Sequence, residues 1–133
     1  MSGQERWETD YRTFSLNHNS WTLRATRQNE CYLEKFVYLE DSEIILQIIY
    51  SKLYQMPILY FIPHTGPTRC VVDISKHFLK ITDFKLHLSW CTHPHTNLPA
   101  IFLHTCDLEV ICKSFKLWTT FMKANINFFV EQM

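Results

Sequence analysis

The sequence predicts an α+β fold: an antiparallel β-meander of about four strands, flanked by an N-terminal helix and a long C-terminal helix. One observation is the run of short segments between residues 21 and 62 that are rich in β-branched and aromatic residues. The other is the helical spacing of aromatic residues towards both ends of the chain. A length of 133 residues with 47% hydrophobic residues and two glycines fits one packed domain spanning residues 1–133.

The first predicted element is an amphipathic helix over residues 4–16, because Trp7, Tyr11 and Phe14 recur at helical spacing. The meander follows it, and its strands are separated by short polar breaks. The four predicted strands cover residues 21–27, 31–40, 43–51 and 56–62.

A turn is predicted over residues 63–68, which hold two prolines and a glycine. Asp73 is predicted to cap a short helix that runs to about Lys80. Residues 84–90 alternate between apolar and polar side chains, which favours a further strand.

The proline-containing segment Cys91–Pro99 is expected to form an irregular surface loop that leads into a short apolar strand over residues 100–103. After Asp107 no proline or glycine remains, so a long helix that packs on the sheet is predicted. Its apolar stripe consists of Ile111, Phe115, Trp118, Met122, Ile126 and Phe129.

Charge and hydropathy exclude some function classes. Thirteen basic and thirteen acidic residues cancel, so the chain has no net positive charge to hold a nucleic acid. The apolar stretches 44–50 and 56–63 are far shorter than the roughly 20 residues that cross a bilayer, so we expect no stable membrane insertion. No secretory signal is visible, and the cysteines are odd in number without a CxxC pair; we therefore expect a cytoplasmic protein without disulfides.

Cys106 is the residue predicted to carry chemistry. It closes the segment from residue 91 to 106, which concentrates a thiol, histidines and prolines. A thiolate attacks carbonyl groups readily, and the resulting thioester stays reactive enough to be passed to an amine. The default expectation for Cys31, Cys70 and Cys112 is a small buried hydrophobe.

Three stretches resemble the E2-like conjugating enzymes of autophagy, and most closely their autophagy-related protein ten family. Residues 50–61, Tyr-Ser-Lys-Leu-Tyr-Gln-Met-Pro-Ile-Leu-Tyr-Phe, are similar to that family's paired strands. His93-Pro94, followed by Pro99 and an apolar strand, resembles its HP…P segment. The tripeptide His104-Thr105-Cys106 stands where the family has H-P-C. The resemblance covers about residues 43–107.

This resemblance implies an E2-like fold and a transfer reaction. Cys106 would accept a ubiquitin-like modifier, autophagy-related protein twelve, as a thioester from an E1-like activating enzyme. It would pass the modifier to a lysine of the target, autophagy-related protein five, at sites of autophagosome formation. No metal or organic cofactor is implied.

The resemblance also suggests supporting residues. His104 and Tyr50 are candidates for orienting or deprotonating the lysine. The chain reads His93-Pro94-His95 where ordinary ubiquitin-conjugating enzymes have HPN. Either Asn97, His95 or a backbone amide would stabilise the oxyanion in place of that asparagine, or the chemistry would rely on the target protein.

Alternatives remain open. Tyr50 could serve only in core packing, and His93 is expected to be a structural loop histidine rather than a base. A Cys-His hydrolase and a catalytically silent E2-like adaptor are the other functional alternatives. A zinc site would draw on Cys91, His93, His95, His104, Cys106 and Cys112.

Overall fold

The computed structural model describes residues 3–66, 70–80, 87–104 and 114–130, with side chains from Trp7 onward. These residues form one antiparallel sheet and three helices. The elements in chain order are α1 (Gly3–Asn17), β1 (Thr22–Ala25), β2 (Cys31–Leu39), β3 (Ser42–Ser51), β4 (Met56–Thr65), α2 (Val71–Phe78), β5 (His87–Thr92), β6 (Pro99–His104) and α3 (Phe115–Asn125).

The sheet has the strand order β1-β2-β3-β4-β6-β5. The first four strands form the predicted meander, with Leu33 opposite Ile48 and Ile49 opposite Ile58. The β5–β6 pair extends it, because Phe102 of β6 lies opposite Tyr60 of β4. The α+β prediction is confirmed, and this layout is consistent with the E2-like fold.

The main core lies between the helices and one face of the sheet, which we call the helix face. Trp7, Tyr11 and Phe14 of α1 are buried there, as the helical spacing predicts. Trp118 and Met122 of α3 are also buried in this core. The strand residues beneath them include Leu33, Leu46, Ile48, Leu59, Phe61, Ile101 and Leu103.

The opposite face of the sheet, which we call the second face, carries a smaller cluster. Ile49, Ile58, Tyr60 and Ala100 are buried in it. Because side chains alternate along a strand, residues next to one another in sequence fall on different faces. This alternation decides which candidate site residues can meet.

Two loop boundaries differ from the prediction. β4 continues through Thr65, so Pro63 pairs in the sheet and the turn begins only at Gly66. Gly66 has φ of 94°, and a Cβ there would clash with the carbonyl oxygen of Asp41, so only glycine fits. The remainder of the predicted turn, from residue 67, and residues 84–86 of the predicted strand lie outside the described residues.

The loop between β5 and β6 is shorter than predicted. Cys91 and Thr92 belong to β5 and Pro99 opens β6, so the irregular segment is residues 93–98. Ladder pairs to Ala100 and Pro99 hold these two β5 residues in the strand.

The start of α2 and the end of α3 also differ from the prediction. The N-cap of α2 is Cys70 and not Asp73. Asp73 lies inside the first turn, where its carboxylate interacts favourably with the positive end of the helix dipole. α3 ends at Asn125, so Ile126 and Phe129 lie beyond it, with Ile126 bridged to Leu79. The start predicted for this helix, including Ile111, lies outside the described residues.

None of the helices in the described part of the chain combines the length and the hydrophobicity needed to span a bilayer.

Candidate functional site

His104 is the last residue of β6 and the described residue nearest in sequence to Cys106. Its Nε2 lies 2.7 Å from the Oγ of Ser89 on the neighbouring strand. Its ring centroid lies 4.2 Å from that of Phe102, on the second face. The hydroxyl and the aromatic ring together fix the orientation of the imidazole. Cys106 itself, two positions further along, lies outside the described residues.

Tyr50 lies at the same end of the sheet as His104. Phe102 pairs with Tyr60, which puts His104 level with Ile58, the neighbour of Pro57, and Pro57 pairs with Tyr50. The faces differ, however, because the ring of Tyr50 packs on the helix face with its centroid 6.3 Å from that of Trp7. The structure brings these two candidates to one end of the sheet but not to one face.

His93 is buried, with 3% of its surface exposed, beneath the loop of residues 93–98. Its Nε2 lies 2.7 Å from Oε1 of Gln47 in the middle of the sheet. Its Nδ1 accepts hydrogen bonds from the backbone N–H groups of His95 at 3.1 Å and Thr96 at 3.2 Å. Two donors on Nδ1 require the proton to be on Nε2, so this histidine is neutral. Burial, and then the proximity of His95, lowers the pKa of His93.

The contact between His93 and Gln47 continues across the second face. The Nε2 of Gln47 donates to Oε2 of Glu34 at 2.8 Å. The Oε1 of Glu34 accepts from Nε of Arg24 at 3.0 Å. Four side chains therefore form one hydrogen-bonded row from β1 to the loop, and the polar groups of Glu34, Gln47 and His93 are paired although buried.

His95 lies over the far side of the same loop. Its ring centroid is 5.5 Å from that of Tyr32, and its Nε2 is 3.9 Å from Oε2 of Glu30. Glu30 also accepts a hydrogen bond from Nζ of Lys52 at 2.8 Å. Burial lowers the pKa of His95, and Glu30 opposes that shift in part. The loop is thus attached at two points, through His93 and through His95.

Asn97 lies in this loop, beyond the pair Thr92–Pro99 that ends the β5–β6 ladder. His104 is at the other end of that ladder, five residues or about 17 Å along β6. The Asn97 backbone has φ of 61°, a left-handed conformation that asparagine adopts more readily than most residues, and its N–H donates to the carbonyl of His93 at 3.0 Å. These features give Asn97 a role in shaping the loop.

The described cysteines differ from one another in exposure. Cys31, Cys70 and Cys91 are free thiols. Burial raises the pKa of Cys91, which favours its thiol form over the thiolate. Cys70 is exposed before α2, so the prediction that it is a small buried hydrophobe is wrong.

The zinc alternative gains no support from the described residues. They contain no group of three or more His, Cys, Asp or Glu side chains able to hold a metal ion. Both ring nitrogens of His93 are already used in hydrogen bonds. Two of the proposed ligands, Cys106 and Cys112, lie outside the described residues.

Sequence reasoning missed Gln47, Glu34 and Ser89. One signal was present: Gln47 is the single polar side chain in the run Ile44–Ile49, and a buried polar residue in an apolar strand calls for a partner. Ser89 gives no such signal, because an alternating edge strand normally carries serine on an exposed position.

Comparison with known families gives one result. The family described as autophagocytosis associated protein, active-site domain, matches residues 6–129. That range includes all three helices, apart from the start of α1, and all six strands. No curated protein and no solved structure matches the chain.

Proposed function

The chain belongs to the family of the autophagocytosis-associated active-site domain, whose members are E2-like conjugating enzymes of autophagy, and from this we propose that Cys106 is its acceptor thiol. In the proposed first step the Cys106 thiolate attacks the thioester carbonyl that joins a ubiquitin-like modifier to an E1-like enzyme. The new thioester forms on Cys106, and the thiol of the E1-like enzyme leaves.

In the second step a lysine amine of the target protein attacks the Cys106 thioester. An isopeptide bond forms, the thiol of Cys106 leaves, and the amine loses a proton to a nearby base or to water. By the family resemblance, the modifier is autophagy-related protein twelve and the target is autophagy-related protein five. The cytoplasm, at sites of autophagosome formation, is the proposed location.

The observation that carries this proposal is the family match over residues 6–129, a range that includes His104 and Cys106. The placement of His104 supports an orienting role, because its imidazole is held by Ser89 at 2.7 Å directly before the segment that contains the thiol. Tyr50 is a second proposed orienting group, since it lies at the same end of the sheet.

Asn97 is the proposed oxyanion donor. Its loop begins at the far end of the β5–β6 ladder from His104, so this assignment rests on the family resemblance and not on proximity in the sheet.

The test is non-reducing electrophoresis after incubation with the E1-like enzyme, ATP and the modifier. We expect a thiol-sensitive adduct that is lost in Cys106→Ala and that becomes thiol-resistant, as an oxyester, in Cys106→Ser. Cys70→Ala is the matched control, because Cys70 is an exposed thiol with no side-chain capping bond to lose.

An adduct that still forms in Cys106→Ala but not in Cys70→Ala would show that Cys70 is the acceptor thiol. Folded protein that forms no adduct with an active E1-like enzyme would contradict the transfer reaction and favour the silent adaptor. Hydrolysis of small thioesters by the chain alone would favour the hydrolase.

A further inference from the structure

Part of β2 forms an open edge of the sheet. β1 pairs with β2 only from Cys31 to Glu34, whereas β2 continues to Leu39. No strand within the described ranges pairs with residues 35–39 on that side. We call this stretch the open β2 edge.

The direction of the backbone groups on this edge follows from the first hairpin. The N–H of Thr26 donates to the carbonyl of Glu30 at 2.9 Å, so residue 30 is hydrogen-bonded towards β1. In an antiparallel ladder the direction alternates with every residue, so the even-numbered positions of β2 face that side. The N–H and C=O groups of Phe36 and Tyr38 therefore point out of the open β2 edge.

A groove of about 620 Å³ runs along this edge. The open part of β2 forms one wall, and the end of α2 together with Asn127, Phe128 and Val130 forms the other. The second wall is attached to the sheet, because Nζ of Lys35 donates to the carbonyl of Phe128 at 2.6 Å. A preformed groove beside unpaired strand groups is the geometry that accepts an added strand.

The two sides of the groove differ in chemistry. On the second face Phe36 is 38% exposed and Tyr38 is 74% exposed, so two aromatic rings lie side by side at the surface along the edge. On the side of the helix face, the exposed side chains of Lys76 and His77 of α2 line the groove. None of the described lining residues is acidic.

We propose that the open β2 edge binds an extended segment of a partner protein in which acidic and apolar residues alternate. The segment adds as an antiparallel strand, with backbone hydrogen bonds to Phe36 and Tyr38. Its apolar side chains lie over the rings of these two residues, and its carboxylates face Lys76 and His77. The basic side chains of the groove favour an acidic segment. Acidic and apolar residues alternate in that segment because one side of the groove is basic and the other is aromatic.

The probe is a fluorescein-labelled peptide of alternating glutamate and valine, eight residues long, followed by fluorescence anisotropy with the full chain. Tyr38→Pro removes the backbone N–H that points out of the open β2 edge. It removes no hydrogen bond between β2 and β3, and edge strands tolerate proline at such positions. We expect it to weaken binding at least about tenfold, whereas Tyr38→Ala, which keeps the N–H, weakens binding about threefold.

Two further comparisons keep the test independent of how well the proline variant folds. Residues of the peptide opposite Phe36 and Tyr38 share their face, so they are the valines. N-methylation of the valine amides should abolish binding, and N-methylation of the glutamate amides should leave it nearly unchanged. Lys76→Glu should weaken binding several-fold at low salt, unlike Lys116→Glu, which changes an exposed lysine outside the groove.

Three results would overturn the proposal: equal affinity for the two N-methylated peptides, equal affinity for a lysine–valine peptide, or a concentration-dependent dimer of the chain that Tyr38→Pro dissociates. The last would assign the edge to a second copy. Peptide binding should be the same in Cys106→Ala, so this test and the test of the thioester can fail separately.

Discussion

His93 and Gln47 are joined by a hydrogen bond of 2.7 Å between Nε2 and Oε1, although 46 residues separate them in sequence. This bond fastens the loop of residues 93–98 to the middle of the second face. Gln47 is in turn held by Glu34, so the loop rests on a buried polar row rather than on apolar contacts. The loop is thereby fixed on the same face as His104.

We predict that Gln47→Leu destabilises the fold by about 1–3 kcal/mol, because it leaves His93 and Glu34 with unsatisfied buried groups. Urea unfolding followed by circular dichroism measures the loss. A double-mutant cycle with His93→Leu should give a coupling energy of about 0.5–3 kcal/mol. Additive effects of the two substitutions would show that the hydrogen bond contributes nothing of its own.

Acid should destabilise the protein through His93. Its pKa is lowered from 6.5 by burial and by His95, so the folded state binds a proton less readily than the unfolded state. Above about pH 7.5 the imidazole is neutral in both states, so its titration does not change the free energy of unfolding. As the pH drops below 6.5 towards the folded-state pKa, the free energy of unfolding decreases. The titrating groups that face His93 include His95, with ring centroids 5.5 Å apart, and Tyr60, at 5.6 Å, and Glu30 contacts His95 in turn.

The measurement is the free energy of unfolding in urea at pH 7.5 and pH 5.5. The difference between the two should be smaller in His93→Gln than in the wild-type chain, because glutamine takes up no proton. His87→Gln, which replaces an exposed histidine of β5, serves as the control. An identical difference in wild type and His93→Gln would contradict the assignment.

His104 should act in the transfer to lysine and not in the formation of the thioester. We expect His104→Asn to slow the discharge of the Cys106 thioester onto a lysine at least about tenfold, with charging by the E1-like enzyme unchanged. Ser89→Ala should slow discharge less, because the imidazole remains but is no longer held at 2.7 Å. Single-turnover discharge assays separate the two steps.

His87 offers a matched control for this prediction, since it is the cross-strand partner of His104. His87→Asn should leave both steps unchanged. Equal losses of charging and discharge in His104→Asn would instead indicate that this histidine supports the fold around the thiol.

Removal of the Tyr50 hydroxyl tests the second proposed orienting group. Tyr50→Phe keeps the ring packed against Trp7, so the stability of the fold should not change. We expect discharge to slow by about tenfold, the effect of one lost hydrogen bond in a transition state. Tyr54→Phe, on an exposed tyrosine of the β3–β4 hairpin, should have no effect. Unchanged discharge in Tyr50→Phe would leave Tyr50 with core packing alone.

Local patterns in the sequence predicted most of the fold. The spacing of Trp7, Tyr11 and Phe14 located α1, and the breaks around residues 41 and 52–55 located the strands of the meander. Such patterns fail where a long-range contact decides the outcome. Ile126 keeps helical spacing with Met122, yet it pairs with Leu79 of a distant segment, and α3 ends one residue earlier.

The candidate site was less predictable for the same reason. The family resemblance of residues 91–106 made His104 a candidate site residue. No local pattern could show that its imidazole contacts Ser89 or that Tyr50 lies on the opposite face of the sheet. The row from Arg24 to His93 joins four separate segments of the chain. Only Gln47 shows by its apolar neighbours that it needs a partner, and nothing local shows which residues those partners are.

The indole N–H of Trp21 donates to the carbonyl of Phe129 at 2.6 Å, and Lys35 donates to the carbonyl of the residue before it. The first strands of the sheet are thus held by a segment synthesised about a hundred residues later. During translation these two hydrogen bonds cannot form until residues 128 and 129 have left the ribosome, so Trp21 and Lys35 lack these partners over that interval. We expect the nascent chain to depend on chaperone binding over this interval, and ribosome-bound chains that end before residue 128 to remain protease-sensitive.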